Sequence, residues 1–177
     1  MKVRDLMIPL SEYTTATGKE TLQELFNMLD NSIPEGLSRP HRDVLVVDES
    51  GDLRGKLSIL DVFMALEPSY AKMDTTANGQ ILTGDYVRKI FNEYDLWSSS
   101  LKEACSYGAE RKVEDVMHTP AKEEFIQADE TLDLALHAFI MGVHQPLIVM
   151  DGKEVVGVLR LGDVFDTLRE SIQACKL

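Results

Sequence analysis

The segment Gly55–Phe63 reads GKLSILDVF, and Gly157–Phe165, 102 positions later, reads GVLRLGDVF. Both segments run from a glycine through mostly apolar residues to an aspartate that two more apolar residues follow. A second pair lies upstream, where VRDLM at Val3–Met7 returns as VEDVM at Val113–Met117, 110 positions later. Because the blocks keep the same order in both halves, the sequence predicts two copies of one structural unit.

Between these blocks each copy shows the same succession of hydrophobic patterns. A stripe with helical spacing comes first, then a short β-branched run, an acidic turn with a glycine, a second strand and another helix. With a short leading segment, this predicts an α+β fold built from two β-α-β-β-α repeats. The predicted elements are helices around Leu22–Leu29 and Leu132–Phe139, strands at Val44–Val47, Leu53–Leu57, Leu147–Met150 and Val155–Leu159, and closing helices at Ile59–Leu66 and Leu161–Ser171.

One repeat of about 60 residues is too small to bury a hydrophobic core alone. We therefore expect the two copies to pack as a pseudo-two-fold pair with a shared core and a cleft along their seam. Repeat 1 covers residues 1–67, and repeat 2 covers residues 111–177. The first copy carries eight extra residues within Asn31–Arg42, where two prolines and a glycine predict an irregular loop.

Residues 68–110 form an inserted helical connection between the two repeats. Apolar spacing predicts two helices there, one from about Thr83 to Tyr94 and another beginning near Leu101, after an exposed loop at Asp74–Gly79. We expect the helical stripes and Trp97 to pack on the body of the protein; a dimer contact is the alternative.

Composition narrows the classes of partner. The chain has 177 residues and a formal net charge of −12, which repels a polyphosphate backbone, so neither a nucleic-acid duplex nor an anionic membrane is an expected partner. No apolar run approaches the roughly 20 residues of a membrane span, and the charged start lacks a signal-peptide core. Cys105 and Cys175 form no CxxC motif, which is typical of reduced thiols in a cytoplasmic protein.

The doubled blocks resemble a tandem of CBS domains, the pair often called a Bateman module. The resemblance rests on the Val-x-Asp-Leu/Val-Met block and on the closing Gly-to-Asp block, and it covers about residues 1–67 and 111–177. It implies that an adenine-containing ligand (AMP, ADP, ATP or S-adenosylmethionine) binds in the cleft between the repeats and regulates an unidentified partner protein. It also implies that two modules pair into a disc-shaped homodimer.

Ser58 and Asp61 are the first candidate ligand-binding residues. A strand ends at Leu57 and a helix follows, so unpaired backbone N–H groups of the first helical turn can attract an anion. Ser58 Oγ can donate to a phosphate oxygen, and Asp61 can accept from two vicinal ribose hydroxyls; the resemblance implies the same two roles. The alternative is that Ser58 and Asp61 form a helix-capping box that needs no ligand.

Asp163 is the equivalent acid in the second copy, but Arg160 stands where the first copy has Ser58. Asp163 is either a second ribose acceptor or a charge that complements the N-terminal helix dipole. Arg160 has three open interpretations, which are contact with a phosphate, pairing with Asp163 or Asp61, and solvation at the surface.

Arg42 and His144 occupy the same repeat position, just before the buried strands. The resemblance implies that basic residues at about this place touch nucleotide phosphates in the shared cleft. Arg39 and His41 extend the basic cluster in an otherwise acidic chain. A solvated loop is the alternative interpretation.

Three further residues are candidates for the base pocket. Pro146 opens its strand without donating a ladder hydrogen bond, so backbone groups nearby stay free to contact an adenine edge. Val44 stands at the corresponding position of the first copy, where the missing proline weakens adenine recognition. The resemblance implies that the leading segments line the base pocket, and Thr119 is the candidate from them.

No catalytic or metal-binding motif is visible in the sequence. The four histidines fit neither HExxH nor a zinc spacing, and GxSxG and GxxxxGK[ST] are absent. We therefore predict a non-catalytic regulatory module that requires no cofactor and whose ligand is an adenosyl nucleotide. A ligand-free scaffold or dimerisation module with vestigial pockets is the alternative.

Overall fold

The computed structural model describes residues 1–31, 42–73 and 83–174. The predicted loop after Asn31, including Arg39 and His41, lies outside the described residues, as do the predicted loop at Asp74–Gly79 and Cys175. Within the described ranges, no helix is both long and apolar enough to cross a bilayer.

The predicted α+β fold with its strand hairpins and closing helices is confirmed. The first repeat contains β1 (Ile8–Pro9), β2 (Thr15–Ala16), α1 (Leu22–Asn31), β3 (Val44–Val47), β4 (Leu53–Leu57) and α2 (Ile59–Leu66). The connection contains a 3-10 turn at Pro68–Lys72, α3 (Gly84–Glu93) and α4 (Leu101–Ala109). The second repeat contains α5 (Val113–Val116), β5 (Phe125–Gln127), α6 (Leu132–Ile140), β6 (Leu147–Asp151), β7 (Glu154–Leu159) and α7 (Leu161–Ala174).

The strands form two sheets, in the orders β1-β7-β6-β5 and β2-β3-β4. Strand β1 belongs to the first repeat in sequence but pairs antiparallel with β7 of the second, with Ile8 opposite Val158 and Pro9 opposite Gly157. The reciprocal contact is an antiparallel bridge between His118 and Lys56 of β4. The leading segments of the two repeats are therefore exchanged, and each pairs with the last strand of the other repeat.

This exchange explains the glycine that opens each repeated block. A Cβ atom on Gly157 would lie 2.3 Å from the carbonyl oxygen of Ile8, and a Cβ atom on Gly55 would lie 2.6 Å from Sδ of Met117. At Gly157 the exchanged backbone leaves no room for a side chain, whereas at Gly55 a side chain would have to displace the Met117 side chain and would lie 3.0 Å from the His118 carbonyl oxygen. The repeated glycines are a packing requirement of the exchange.

Three clusters of buried apolar side chains hold the molecule together. Val3 packs into the core of the second repeat beside Leu132, and Val113 packs into the core of the first repeat beside Leu22. The third cluster joins the two sheets and contains Tyr13, Leu45, Ile148 and Val158. The two repeats thus form a pair with a shared core, as predicted.

The two helices of the connection differ in how they pack. Gly108 of α4 lies against Leu66 at the end of α2, so closely that a Cβ atom would meet Leu66 Cδ2 at 2.2 Å. In contrast, Val87 and Phe91 of α3 are 55% and 49% exposed, and α3 has no buried residue. The prediction that its stripe packs on the body is wrong for Val87 and Phe91, while Ile90 and Tyr94 are half-buried. A few apolar side chains on a mostly polar helix offer too little area to bury the whole stripe.

Trp97 connects the end of α3 to the end of the first repeat. Its backbone N–H donates to Oε2 of the buried Glu67 at 2.6 Å. Its indole Nε1–H donates to the Tyr70 hydroxyl at 3.2 Å. Glu67 Oε1 accepts from the Ser69 N–H at 2.9 Å, so this one carboxylate caps the Pro68–Lys72 turn and also holds Trp97.

Candidate functional site

The start of α2 forms a capping box between Ser58 and Asp61. Oδ2 of Asp61 accepts from the Ser58 N–H at 2.7 Å and from the Ser58 hydroxyl at 2.6 Å. The Asp61 N–H donates back to Ser58 Oγ at 3.4 Å. Both residues are buried. The capping alternative therefore describes the local geometry, and it leaves only Oδ1 of Asp61 for a further partner.

The start of α7 carries an ion pair in place of a capping box. Arg160 donates from Nε to Oδ2 of Asp163 at 2.7 Å and from Nη2 to Oδ1 at 2.6 Å. This bidentate hydrogen bonding raises the pKa of the Arg160 guanidinium. Of the three interpretations of Arg160, pairing with Asp163 is the one that the structure shows.

Tyr13 and Asp43 lie close to this ion pair. The Tyr13 hydroxyl donates to Oδ1 of Asp43. Burial raises the pKa of the Tyr13 hydroxyl well above its usual value, and the Asp43 carboxylate raises it further. Electrostatic interaction also couples Tyr13 to Arg160 and Asp163, so these four residues form one polar cluster on the α7 side.

Lys56 of β4 is fully buried beneath the α2 side of the seam. Its Nζ lies 2.7 Å from Oε2 of Glu124 and donates to the carbonyl oxygens of His144 at 2.6 Å and Pro146 at 2.7 Å. Burial lowers the pKa of Lys56, and the Glu124 carboxylate opposes that shift. Burial acts to raise the pKa of Glu124, but hydrogen bonds from Lys56, the Ala121 N–H and His118 bring it below its usual value. Lys56 thus ties the first repeat to the second by charge and by hydrogen bonds.

His118 and His144 stack above this ion pair, with ring centroids 4.1 Å apart and planes inclined by 19°. His118 Nε2 lies 2.7 Å from Glu124 Oε1, and His144 Nε2 lies 3.4 Å from Asp61 Oδ1. The other ring nitrogen of His144, Nδ1, is buried, lies 4.0 Å from Glu124 Oε2 and has no hydrogen-bond partner among the residues that the structure describes. Burial lowers the pKa of His144. The stack brings the leading segment of the second repeat next to the capping box of the first.

A cavity of about 380 Å³ opens at this point, between the start of α2 and the turn before β6. Its lining comes from both repeats, and includes Asp43, Ser58, Ile59 and Leu60 of the first and residues 142–145 of the second. Asp61, which contacts both Ser58 and His144, also lines a smaller cavity of about 280 Å³ with Tyr107 and Arg111. The predicted cleft along the seam therefore exists, and it is a space of small-molecule size.

Four of the predicted site residues lie at the α2 side of the cleft. Ser58 and His144 line the larger cavity, and Asp61 bonds to Ser58. Pro146 contributes its carbonyl oxygen to Lys56, so that oxygen is engaged within the protein. Arg160 and Asp163 are not among the residues that line this cavity, and they belong to the cluster with Tyr13 and Asp43.

The structure does not bring the remaining three candidates, Val44, Arg42 and Thr119, to the lining of this cavity. Val44 is fully buried in the core of the first repeat, because its strand turns this side chain inward, and the side chain cannot contact a ligand in the cleft. Arg42 is exposed and lines a separate cavity of about 400 Å³ with Phe26 and Phe63. Thr119 is an exposed neighbour of His118.

Sequence reasoning missed Lys56, Glu124 and His118, which form the polar floor of the cleft. One signal was present, since Lys56 is the penultimate residue of the strand Leu53–Leu57 and a lysine must find an acid once it is buried. Its partner, Glu124, is 68 positions away in a short segment without periodicity. Tyr13 and Asp43 were missed for the same reason, because their contact joins two loops.

No protein-family model matches this sequence, and no curated protein sequence matches it. Solved structures do. The chain is similar to CBSX2 in complex with AMP, a CBS-pair protein from Arabidopsis thaliana, with 19% identity over 99% of both chains and a TM-score of 0.58. It is also similar to the CBS domain of a bacterial CNNM/CorC family Mg²⁺ transporter in complex with ATP, with 18% identity over 96% of this chain and 87% of that chain and a TM-score of 0.55.

A third similar structure is a CBS domain-containing protein of unknown function from Bacillus anthracis, with 17% identity over 96% of this chain and 94% of that chain and a TM-score of 0.55. The likeness extends over nearly the whole length of this chain in each case. The chain therefore has the fold of a tandem pair of CBS domains.

Proposed function

We propose that this chain is a non-catalytic regulatory module that binds an adenine-containing ligand in the cleft between its two repeats. The observation that carries the proposal is the cavity of about 380 Å³ that Ser58 of one repeat and His144 of the other line together. Two solved proteins of the same fold are complexes with AMP and with ATP, which supports this class of ligand.

The start of α2 supplies groups that suit a nucleotide. Ile59 and Leu60 line the cavity, and the N–H groups of this first helical turn have no partner within the helix, so they favour a phosphate. Oδ1 of Asp61 faces His144 at 3.4 Å, a contact that a ribose hydroxyl can replace. The nucleotide would then displace the His144 ring, and Lys56, which holds the His144 carbonyl, would carry that change to β4.

A homodimer is part of the proposal, and the exposed faces of α2 and α7 support it. Apolar side chains that are exposed in these helices mark a surface suited to a partner. They are Leu60, Phe63 and Met64 in α2, and Leu161, Phe165, Leu168 and Ile172 in α7. Leu60 belongs both to this surface and to the cavity lining, so ligand binding has a direct route to the dimer contact or to an unidentified regulated protein.

We also propose a cytoplasmic location. Cys105 is an exposed free thiol, which is common in a reducing compartment.

A thermal-shift and calorimetric series with AMP, ADP, ATP and S-adenosylmethionine tests the ligand proposal. A ligand at 100 times its dissociation constant adds about 2.7 kcal/mol to the free energy of unfolding. Asp61→Asn should weaken binding, while Asp133→Asn, on the exposed face of α6, should not. The ligand should remain intact after long incubation. Absence of a shift with all four compounds contradicts the proposal, and ligand turnover contradicts its non-catalytic part.

The second candidate function is a scaffold or dimerisation module that binds no ligand. Both predicted ribose acceptors are engaged within the protein, Asp61 by Ser58 and Asp163 by the Arg160 guanidinium. A stable dimer with no response to any adenosyl compound would favour this function over the first.

A further inference from the structure

We propose that Asp61, His118 and His144 form a binding site for a divalent first-row transition-metal ion, with zinc as the representative ion. One ring nitrogen of each histidine and one carboxylate oxygen of Asp61 lie within 4.8 Å of one another. The three residues come from α2, from the leading segment of the second repeat and from the turn before β6. The ion would use Asp61 Oδ1 and His144, the contact that the proposed nucleotide would separate, so the two ligands should compete. The metal site is tested without a nucleotide, so each proposal can fail independently.

The spacing of the donor atoms is close to that of a zinc site. Zinc holds nitrogen and oxygen ligands at about 2.0–2.2 Å in a tetrahedron, which places neighbouring donors about 3.3 Å apart. Asp61 Oδ1 and His144 Nε2 already lie 3.4 Å apart. The third donor, on His118, needs to move by up to about 1.5 Å to reach that spacing, and its ring must turn out of the stack with His144 so that both nitrogen lone pairs point at one ion. His118 is the more exposed of the two rings, at 31% against 25% for His144, and is therefore the freer to rotate.

Groups around the donors hold them in the way that metal sites require. The Ser58 N–H and hydroxyl fix Oδ2 of Asp61, which leaves Oδ1 directed at His144. Glu124 Oε1 lies 2.7 Å from Nε2 of His118. A carboxylate that bonds to one ring nitrogen of an imidazole sets its tautomer and leaves the other nitrogen to bind a metal. Glu124 is in turn held by the Ala121 N–H and by Lys56.

The charge and the exposure of the cluster also favour a cation. Asp61 and Glu124 supply two carboxylates, whereas Lys56 supplies one ammonium and already lies against Glu124. Among the described residues, His144 is the only basic side chain that lies within ion-pair distance of Asp61, while the Lys56 ammonium interacts with this carboxylate from farther away. Both rings remain partly exposed, which gives an ion a path from solvent.

The donor set determines the class of ion. Two imidazoles and one carboxylate suit zinc, cobalt and nickel, while magnesium and calcium prefer oxygen ligands alone. The three protein donors leave the fourth tetrahedral position to water.

The chelator-treated full chain, titrated with ZnCl₂, CoCl₂ and MgCl₂, tests the site. We expect zinc and cobalt to raise the melting temperature and to bind with a stoichiometry of one in calorimetry, and magnesium to do neither. His118→Ala and His144→Ala should each weaken zinc binding by more than about tenfold, since even the loss of an outer-shell partner costs that much. No response of the wild-type chain to zinc overturns the proposal.

A second variant keeps the test decisive if the cluster variants fail to fold. The chain contains four histidines, and His41→Ala/His137→Ala leaves only the two of the cluster. This variant should bind zinc with wild-type affinity, and loss of binding overturns the site. Cobalt binding should give visible absorption without a thiolate charge-transfer band; such a band would assign the metal to a cysteine and would also overturn it.

Discussion

The ammonium of Lys56 lies 2.7 Å from Oε2 of Glu124, in a position where the lysine is fully buried and the glutamate nearly so. The two residues belong to different repeats, β4 of the first and the turn before β5 of the second. Both repeats therefore contribute to the polar floor of the cleft, and removal of either charge leaves the other buried and unpaired.

Lys56→Met should destabilise the protein by about 3–5 kcal/mol, because it leaves the Glu124 carboxylate buried without its cation. Urea unfolding followed by circular dichroism measures the change. Lys19→Met is the matched control, since its pair with Glu49 is exposed and should contribute little. Equal effects of the two substitutions would contradict the structural role of Lys56.

Gly157→Ala should destabilise the protein by roughly 1–3 kcal/mol, because the new Cβ atom would lie 2.3 Å from the carbonyl oxygen of Ile8 and would push β1 away from β7. Gly162→Ala is the control, as no atom lies within 4 Å of a Cβ there and alanine favours the helix. A neutral Gly157→Ala variant would mean that the leading segments are not exchanged in solution.

Glu67→Gln should destabilise the connection by about 1 kcal/mol at neutral pH. The hydrogen bond from the Ser69 N–H, together with that from the Trp97 N–H, lowers the pKa of Glu67 from its usual value of 4.5. A carboxyl whose pKa is lowered by folding stabilises the protein above the unfolded pKa and loses that contribution as the pH falls through the folded one. The wild type and the variant should therefore differ at pH 7 and converge below pH 4.5, as measured by Trp97 fluorescence during urea unfolding. A difference independent of pH would contradict the assignment.

Arg160→Ser should create a second nucleotide site, if the proposed function is correct. The substitution removes both hydrogen bonds to Asp163 and reproduces the Ser-x-x-Asp pattern of the first repeat. Calorimetry with the ligand that binds best should then show a stoichiometry that increases from one to two. Arg169→Ser, on the exposed end of α7, should leave it at one.

Much of the fold was predictable because the spacing of apolar, glycine and proline residues within short segments indicates most of its helices and strands. The strands at Val44–Val47 and Leu53–Leu57 and the helix at Ile59–Leu66 have the predicted bounds, since a β-branched run, a turn glycine and Pro68 mark their ends. The last helix continues beyond the predicted Ser171 to Ala174, since residues 171–174 contain neither proline nor glycine.

The exchange of the leading segments was not predictable, because β1 has two residues and therefore no periodicity to analyse. Ser58 and Asp61 were found since they are neighbours in sequence. His118, Lys56 and Glu124 were not, because only the folded chain brings them together, although a lysine near the end of a strand requires an acidic partner wherever that end is buried.

The crossing of β1 to β7 also means that neither half can be excised as an autonomous fragment. A polypeptide that stops before Val113 lacks the side chain that fills the interior of the amino-terminal half, and one that starts after Val3 leaves a hole in the carboxy-terminal half. Each half completes the hydrophobic core of the other, so unfolding should be a single cooperative event for the whole chain.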